Sequence, residues 1–416
     1  MVKDLLVVST YPPKGSLHGN KFSAVAHYTK STLISMGKDF SFKVLADKLS
    51  GEDSLYQEAN VKVLRCWQRG SSFLLLDILK EILASRQKKI LFCFEWGMFG
   101  RNLVGITLLP LFFVVLRVLG KEIFFVSHGV LLDYEKVAPQ LGDKTKSLKV
   151  RFGSLGLKIL YFFIILCSKK VVVFEEYLRQ ELLCLFNKPE KVVTIPHGVD
   201  EPEKVYQKEE AREKLGIDNE EFVLLCFGFL IWYKGSDWLV EKMAEHFKKN
   251  PSSKILLMMV GGESQVHKDD PVYRKYLEEI YNRIKEAGGK ILLTGFIKEE
   301  EIGLYFSSAD LAVLPYRVLV SASGPLSLVF SYKKPFLVSD NLKGYALNKD
   351  FEGSQKKSDL NFEDISFSLQ NEKVINKMES FAENQKLLNK IEEFSGSLYQ
   401  KRKWSVTGKR YQELFQ

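Results

Sequence analysis

Cysteine is scarce in this chain, and the few that occur lie far apart. Five are present among 416 residues, and no two of them form a C-x-x-C pair. Disulfide frameworks and zinc fingers are built from closely spaced, paired cysteines, so neither is predicted. The cysteines are Cys66, Cys93, Cys167, Cys184 and Cys226. We expect a reducing compartment, the cytoplasm.

Long hydrophobic runs and a secretory leader pattern are also missing. Met1 to Asp4 lead directly into a short apolar stretch, with no charged n-region and no cleavage site, so we expect no signal peptide. The longest apolar run, Leu103 to Leu116, is shorter than the roughly 18 to 20 residues of a bilayer span and contains Pro110. A second run, Ile159 to Cys167, is shorter still. We predict that each is a buried helix.

Acidic residues are under-represented in the first half alone. Residues 1–200 hold 28 Lys and Arg against 18 Asp and Glu, whereas the rest of the chain holds 32 against 33. The whole net charge of +9 therefore belongs to the first half, which predicts an anionic partner there. A membrane is favoured over nucleic acid, because the basic residues precede an apolar segment and no nucleic-acid-binding motif is visible. Those residues are Lys144, Lys146, Lys149, Arg151 and Lys158.

The remaining composition is that of a soluble globular protein, with 46% hydrophobic and 27% charged residues. Short β-branched and aromatic runs alternate with helical stretches along the chain, a pattern typical of parallel sheets covered on both faces. A polar break at residues 201–214 divides the strands into two sets. We predict an α/β protein with two doubly wound, Rossmann-like domains, residues 1–200 and 201–395, and a loop-rich stretch at 351–372.

In such sheets the ligands bind beyond the carboxyl ends of the strands. Two of the segments that follow strands contain Gly15 and Gly19 in the first case, and His128 in the second. Glycines before a helix leave backbone N–H groups free for an anion, although a plain βα turn explains them equally. A histidine at this edge can bind a sugar hydroxyl or move a proton, or it can be structural, and the residue alone does not decide.

Two later segments have the residues of an anion site. Lys234 and Gly235 follow a strand and begin a helix, which suits a diphosphate; a surface lysine near a helix cap is the ordinary alternative. Ser323 and Gly324, followed by Pro325, form a well-made helix start whose free N–H groups would accept a phosphate. Ordinary capping explains the same residues.

Taken together, these pieces resemble the group 1 (family 4) glycosyltransferases, retaining enzymes of the GT-B fold. The segments that carry the resemblance are VSTYPPKGSLHGN, FVSHG, VVTIPHGVD, FGFLIWYKGSDWL, LLMMVGGES, LLTGFIKEEEIGLYFSSADLAVLPY and SGPLSLVFSYKKPFLVSD. Their order and spacing match the family over essentially the whole chain, most specifically from Phe227 to Asp340. The resemblance implies a nucleotide-sugar donor in the second domain, an acceptor in the first, no metal or other cofactor, and a last helix, within 396–416, that crosses back to the first domain.

The resemblance also implies roles for single residues. Lys234 would hold the diphosphate, and His128, the candidate catalytic residue, would contact the transferred sugar. The other implied donor-binding residues are Gly15, Gly19, Gly235, Gly261, Gly262, Phe296, Ile297, Ser323 and Gly324. His197 takes the place of an asparagine in the turn before the hinge.

Two departures from the family affect the donor site. Phe229 stands where the family usually has an arginine, and Val320 and Leu328 stand where it usually has two glutamates. The serine-glycine pattern at this place is similar to that of a sub-branch of the family.

The leading hypothesis is a retaining transfer of a hexose to a lipid-linked or polysaccharide acceptor at the cytoplasmic membrane face. A catalytically degenerate membrane-bound scaffold is the alternative, and a nucleotide-sugar epimerase is a third.

Overall fold

The fold was analysed in a computed structural model that describes residues 3–16, 24–100, 103–141, 143, 147–264, 267, 269–319 and 321–416. Two sheets, one for each half of the chain, form its framework. The first has the order β3-β4-β2-β1-β5-β6-β7-β8, and the second has the order β11-β10-β9-β12-β13-β14. The strands are β1 (Lys3–Val8), β2 (Phe40–Asp47), β3 (Leu55–Glu58), β4 (Val61–Trp67), β5 (Lys89–Phe94), β6 (Glu122–Ser127), β7 (Lys170–Val173), β8 (Val192–Thr194), β9 (Phe222–Phe227), β10 (Ile255–Val260), β11 (Ile291–Leu293), β12 (Leu311–Leu314), β13 (Phe336–Ser339) and β14 (Ser366–Phe367).

Helices cover both faces of each sheet. They are α1 (Ala24–Ser35), α2 (Leu74–Leu83), α3 (Leu103–Val118), α4 (Leu148–Cys167), α5 (Glu176–Leu185), α6 (Lys208–Leu215), α7 (Ser236–Lys249), α8 (Pro271–Glu286), α9 (Ile302–Ser308), α10 (Gly324–Ser331), α11 (Lys349–Ser358), α12 (Val374–Ala382), α13 (Gln385–Arg402) and α14 (Trp404–Leu414). The prediction of two doubly wound domains is confirmed, and the architecture is that of the GT-B fold. Helix caps set several boundaries: the Asp270 carboxylate accepts from the N–H of Val272, and Pro271 follows at the first helical position.

The topology places the carboxyl ends of particular strands at the centre of each domain. In each sheet the strand order runs outward in both directions from one central pair of neighbouring strands. The pair is β1 and β5 in the first sheet, and β9 and β12 in the second. Right-handed crossovers that leave in opposite directions put their helices on opposite faces, so a crevice opens between the two strands of each pair. The strands pair in parallel throughout, except that β3 runs antiparallel to β4.

The end of the chain joins the two domains. Helix α13 packs on the second domain and ends at Arg402, and the chain then continues as α14, which packs against α1 of the first domain. There the hydroxyl groups of Tyr411 and Tyr28 lie 2.8 Å apart, which fixes α14 against α1. The Trp404 indole donates to the Asp200 carboxylate at 2.7 Å, beside the boundary predicted between residues 200 and 201.

The stretch predicted to be loop-rich, residues 351–372, is mostly ordered secondary structure. It contains most of α11, a 3-10 turn at Phe362–Ile365 and β14. The helix was missed because its inward face is built from few apolar residues: Phe351 is buried with the small polar residues Ser354 and Ser358. Small hydroxyl side chains packed inward leave no apolar periodicity for the sequence to display.

The two apolar runs form helices, but the prediction that both are buried was wrong for one face of each. Helix α4 buries its inner face and exposes six large apolar side chains on the outer one: Leu148, Phe152, Leu155, Ile159, Phe162 and Leu166. Helix α3 likewise exposes Val104, Leu108, Leu111 and Val118. These residues are spaced by three or four positions, or by seven between Leu111 and Val118, so each set forms one stripe along its helix. The sheet covers only the inner face, and no described element covers the stripes.

By length and composition alone, α4 is also the one described helix that is apolar enough to cross a membrane, with a mean hydropathy of 1.8. A third of that segment is buried inside the protein.

Candidate active site

Lys234 lies at the crevice of the second domain with its charge unpaired. The chain leaves β9 at Gly228 and makes a 3-10 turn, Trp232–Lys234, before α7 begins. Gly228 has φ +117°, a conformation that favours glycine, and a Cβ atom there would lie 2.7 Å from the Lys234 ammonium. Lys234 is 9% exposed, and among the described residues its ammonium has no hydrogen bond or ion pair. Burial lowers its pKa to about 8.

The start of α10 faces this lysine. Ser323 is the N-cap, and its hydroxyl accepts from the N–H of Leu326 at 3.2 Å and lies 2.8 Å from the hydroxyl of Tyr316. The lysine and the start of the helix together border a pocket that is open to solvent. Its lining residues are Tyr233, Lys234, Tyr316, Val318, Ser321, Ala322, Ser323, Gly324 and Pro325, with no acidic side chain among these described residues. An unpaired ammonium beside a helix N-terminus makes this pocket suited to an anion.

Arg317 holds the turn that carries the lysine. Its guanidinium donates to the carbonyl of Trp232 at 2.6 Å, and its backbone N–H donates to the carbonyl of Tyr233 at 2.7 Å. It also binds both carboxylate oxygens of Asp237, each at 2.7 Å. Gly235 ends the turn with φ +73°, where a Cβ atom would lie 1.9 Å from the carbonyl oxygen of Pro315. The position of the ammonium is therefore fixed by backbone contacts on both sides.

An aromatic wall extends from this pocket. Phe229 and Phe296 meet edge to face with ring centroids 5.4 Å apart, and the two side chains are 42% and 46% exposed. A Cβ atom at Gly262 would lie 2.9 Å from the Phe296 ring, and one at Gly261 would lie 2.2 Å from the carbonyl oxygen of Gly228. Ile297, next to this wall, is partly buried against the core. The structure thus brings these predicted donor-site residues to one edge of the second sheet.

His128 lies at the end of β6 in the first domain. Its backbone N–H donates to the carbonyl of Phe94 at 2.9 Å, and its ring packs between those of Tyr28 and Phe174 at 4.7 and 5.1 Å. Its Nε2 atom is buried without a hydrogen-bond partner in the described part of the chain. Burial holds the pKa of His128 well below its usual value, so the ring is neutral at pH 7. The next residue, Gly129, forms a backbone bridge to Ser321. Ser321 lines the pocket between Lys234 and the start of α10, which we call the phosphate-type pocket.

Arg65 supports the loop after β1 through hydrogen bonds to its backbone. This buried guanidinium donates to the carbonyls of Tyr11 and Pro12 at 3.2 and 2.7 Å. Gly15 follows in the left-handed region, with φ +78° and open space where a Cβ atom would lie. The other glycine predicted for this loop, Gly19, lies outside the described residues.

Part of the second domain matches a known protein family. Residues 207–355 match the family "Glycosyl transferases group 1". These residues form a group 1 glycosyltransferase domain. The alpha-monoglucosyldiacylglycerol synthase of Acholeplasma laidlawii is 29% identical over 155 residues, which are 35% of this chain and 36% of that protein. The chain thus matches little more than a third of the length of this curated relative.

The fold likeness extends over the whole chain. Sucrose-phosphate synthase from Thermosynechococcus elongatus superimposes with a TM-score of 0.71 at 14% identity, covering 99% of this chain and 98% of that one. Anabaena HepE, solved in complex with UDP-glucose, has a TM-score of 0.64 at 13% identity and 99% coverage of each chain. At such low identity the likeness shows the GT-B fold alone.

Within the group 1 domain, Lys234, Ser323 and Gly324 border one pocket, and Gly235 directly follows Lys234. That these residues bind the donor stays a prediction. Leu328, where the family usually has a glutamate, is partly buried against the core, and Val320 lies outside the described residues. Arg317 was missed, because its contacts are with main-chain carbonyls and with Asp237, 80 residues away in sequence, and leave no sequence motif. Among the described residues no three His, Cys, Asp or Glu side chains cluster as metal ligands. The expectation of a metal-free reaction stays a prediction.

Proposed function

We propose that this protein transfers a hexose, with retention, from a nucleotide-diphosphate sugar to a lipid-linked or polysaccharide acceptor. The observation that carries the proposal is the unpaired, buried Lys234 facing the N-terminus of α10 within a group 1 domain. A buried ammonium without a partner costs free energy, and an anionic ligand offsets that cost. A diphosphate leaving group supplies the negative charge, and charge that develops on it during transfer is stabilised by the same lysine and amides.

Retention is proposed from the family resemblance. Attack from the face that the diphosphate leaves would let a phosphate oxygen take the proton of the acceptor hydroxyl. Lys234 and the α10 amides would hold that phosphate, and no further protein nucleophile would be needed. The UDP-glucose complex of HepE supports a nucleotide-sugar donor. The alpha-monoglucosyldiacylglycerol synthase of Acholeplasma laidlawii supports a lipid-linked acceptor.

The same proposal includes a membrane surface as a partner. The apolar stripes of α3 and α4 adjoin each other on one side of the first domain, and Phe152 and Leu111 on them are 69% and 60% exposed. The exposed cations Arg117, Arg151 and Lys158 flank the stripes. Apolar side chains bordered by cations suit the boundary between the headgroups and acyl chains of an anionic leaflet. We therefore place the protein on the cytoplasmic face of a membrane, with α4 lying along the surface.

Ligand-dependent stabilisation tests the donor site. Purified protein is heated with UDP, GDP, ADP, dTDP and their common sugars, without metal. A nucleotide present at about 100 times its Kd stabilises the fold by roughly 2.7 kcal/mol, a readily measured rise in Tm. We expect one nucleotide to give this rise in the wild type and in Glu135→Gln, and to lose it in Lys234→Met. Folded protein that responds to no nucleotide would contradict the proposal and favour a catalytically inactive scaffold.

A further inference from the structure

Two exposed phenylalanine rings lie side by side next to the phosphate-type pocket. Phe229 follows β9 and Phe296 follows β11, and the two residues are 42% and 46% exposed. Their ring centroids are 5.4 Å apart, and that of Phe229 is 5.8 Å from the Lys234 ammonium. The rings therefore extend the pocket away from the ammonium, along the carboxyl ends of β9, β10 and β11. Adjoining apolar side chains that stay exposed beside a pocket indicate a surface for a ligand.

The backbone between the two rings is shaped to support the second one. Gly262 follows β10, the strand between β9 and β11, and a Cβ atom there would lie 2.9 Å from the Phe296 ring. The backbone N–H of Leu230 donates to the carbonyl of Gly262 at 3.0 Å and so joins this backbone to the loop that carries Phe229. Phe296 thus packs against main chain and against Phe229, and its exposed part is available to a flat ring such as a nucleobase.

Helix α10 forms the other side of this surface. A Cβ atom at Gly228, the residue before Phe229, would lie 3.1 Å from the Pro325 ring, so the loop after β9 and the start of α10 are in contact. Gly324 lines the phosphate-type pocket, and Leu328 lies four residues later, on the same face of the helix. Leu328 is partly buried against the core. A nucleoside that extends from bound phosphates would therefore meet phenylalanine on one side and leucine on the other.

We propose that the donor site binds its nucleoside by stacking and apolar contact and does not distinguish ribose from 2′-deoxyribose. Stacking on Phe296 needs only the π face that every base has. A ribose hydroxyl is typically bound by a carboxylate of the protein, whereas Leu328 stands on α10 where the family usually has a glutamate. The nearby Glu263 carboxylate accepts from the Tyr281 hydroxyl at 2.7 Å. This assignment rests on the proposed function, which it deepens by naming the class of nucleotide.

Paired titrations test the assignment without requiring turnover. The full-length protein is titrated calorimetrically with UDP and 2′-deoxy-UDP, with GDP and 2′-deoxy-GDP, and with ADP and 2′-deoxy-ADP. For the base that the protein binds, the two Kd values should agree within about twofold. Phe296→Ala should weaken both members of that pair about tenfold or more, because the stacked ring is lost. Leu347→Ala removes a side chain of the same 46% exposure from the same domain and should bind both nucleotides normally.

Leu328→Glu tests the same assignment in the opposite direction. A carboxylate on this face of α10 should bind the ribose, so the ribonucleotide should bind roughly tenfold more tightly than its 2′-deoxy partner, whereas Leu328→Met should bind the two equally. Because both nucleotides are compared within one variant, repulsion between the new carboxylate and the diphosphate cancels from the ratio.

Three results would each overturn the assignment. They are a wild type that binds the ribonucleotide more than about fivefold more tightly than its 2′-deoxy partner, unchanged affinity in Phe296→Ala, and equal affinities in Leu328→Glu. Failure of the donor proposal gives a different result, namely a folded wild type that binds none of the six nucleotides.

Discussion

The Arg317 guanidinium binds both carboxylate oxygens of Asp237 and the main-chain carbonyl of Trp232, which precedes Lys234 by two residues. One side chain thus fixes the turn that presents the only cation of the phosphate-type pocket among its described lining residues. Because Arg317 does not line that pocket, its effect on a bound anion must pass through the turn. Arg317 therefore positions the site, whereas Lys234 would bind the anion.

Arg317→Met should weaken nucleotide binding about tenfold, because Lys234 loses its fixed position while keeping its charge. Arg317→Lys, which cannot form the two-pronged contact with Asp237, should recover only part of that loss. Isothermal titration with the nucleotide found by thermal shift measures both. Arg283→Met, which breaks an exposed pair with Glu241, is the control and should bind normally. Equal affinity in Arg317→Met and the wild type would show that the turn holds its shape unaided.

Because Lys234 is buried, nucleotide affinity and the free energy of unfolding should both depend on pH. Burial lowers its pKa from 10.5 to about 8, so nucleotide affinity should fall as the pH rises through about 8 and the free site loses its charge. The unfolded chain binds this proton more tightly than the folded one, so wild-type stability rises between about pH 8 and 10.5. Lys234→Met lacks that slope and should be more stable at pH 7, by up to about 3 kcal/mol, while losing nucleotide binding.

Urea unfolding at pH 7 and pH 10, followed by intrinsic fluorescence, measures the stability difference. A Lys234→Met variant that is less stable than the wild type at pH 7 would mean that the ammonium has a structural partner.

Much of the phosphate-type pocket can be predicted from the sequence, because its residues lie in short continuous segments. Glycines and a lysine after β9, and Ser323-Gly324-Pro325 before α10, can be recognised as an anion site from one stretch each. Arg317 was not found in this way, because its partners Trp232 and Asp237 lie 85 and 80 residues away in sequence. Contacts between such distant positions depend on strand order, which is a long-range property. The exposed stripes of α3 and α4 were missed for the same reason, since an apolar run does not reveal which of its faces the sheet covers.

Phe229 stands where the family usually has an arginine, so a substitution there tests what the missing charge contributes to nucleotide binding. It lies against Phe296 and 5.8 Å from the Lys234 ammonium, measured to the ring centroid. Phe229→Arg should add a second cation beside the pocket and strengthen nucleoside diphosphate binding about tenfold at low salt. The gain should shrink as ionic strength rises, because a partly exposed charge is screened. Phe229→Leu is the uncharged control; a gain of the same size there would assign the effect to loss of the ring.

Membrane binding should depend on the stripe of α4. Phe152→Glu combined with Leu155→Glu places two charges where apolar side chains are 69% and 53% exposed. Burying such a side chain in a bilayer contributes about 1.5–3 kcal/mol, so partition to phosphatidylglycerol vesicles should fall at least tenfold. Val205→Glu changes an exposed valine in the segment between the domains and should leave partition unchanged. Cosedimentation in low and high salt also measures the contribution of Arg151 and Lys158. Unaltered partition in the double variant would exclude this surface.

The junction between the domains should respond to pH through a buried carboxyl group. Glu175, directly after the first domain's β7 and Phe174, accepts from Asn348 at 2.5 Å and from Arg402 at 3.3 Å. Arg402 also binds Asp350, at 2.7 Å. Burial, reinforced by the charge of Asp350, raises the pKa of Glu175 to about 7 against the opposing effect of Arg402.

A carboxyl group with a raised pKa stabilises the fold fully below its unfolded pKa of 4.5, and that contribution is lost as the pH rises through about 7. Glu175→Gln stays neutral at every pH, so it should flatten this loss and exceed the wild type in stability above pH 7, by on the order of 3 kcal/mol at most. Arg402→Met leaves two buried carboxyl groups without their cation and should cost about 3–5 kcal/mol. Urea midpoints from pH 5 to 8 measure both, with the exposed Glu352→Gln as control. If Glu175→Gln and the wild type lose stability in parallel across this range, Glu175 is ionised throughout and the junction is held by a permanent ion pair.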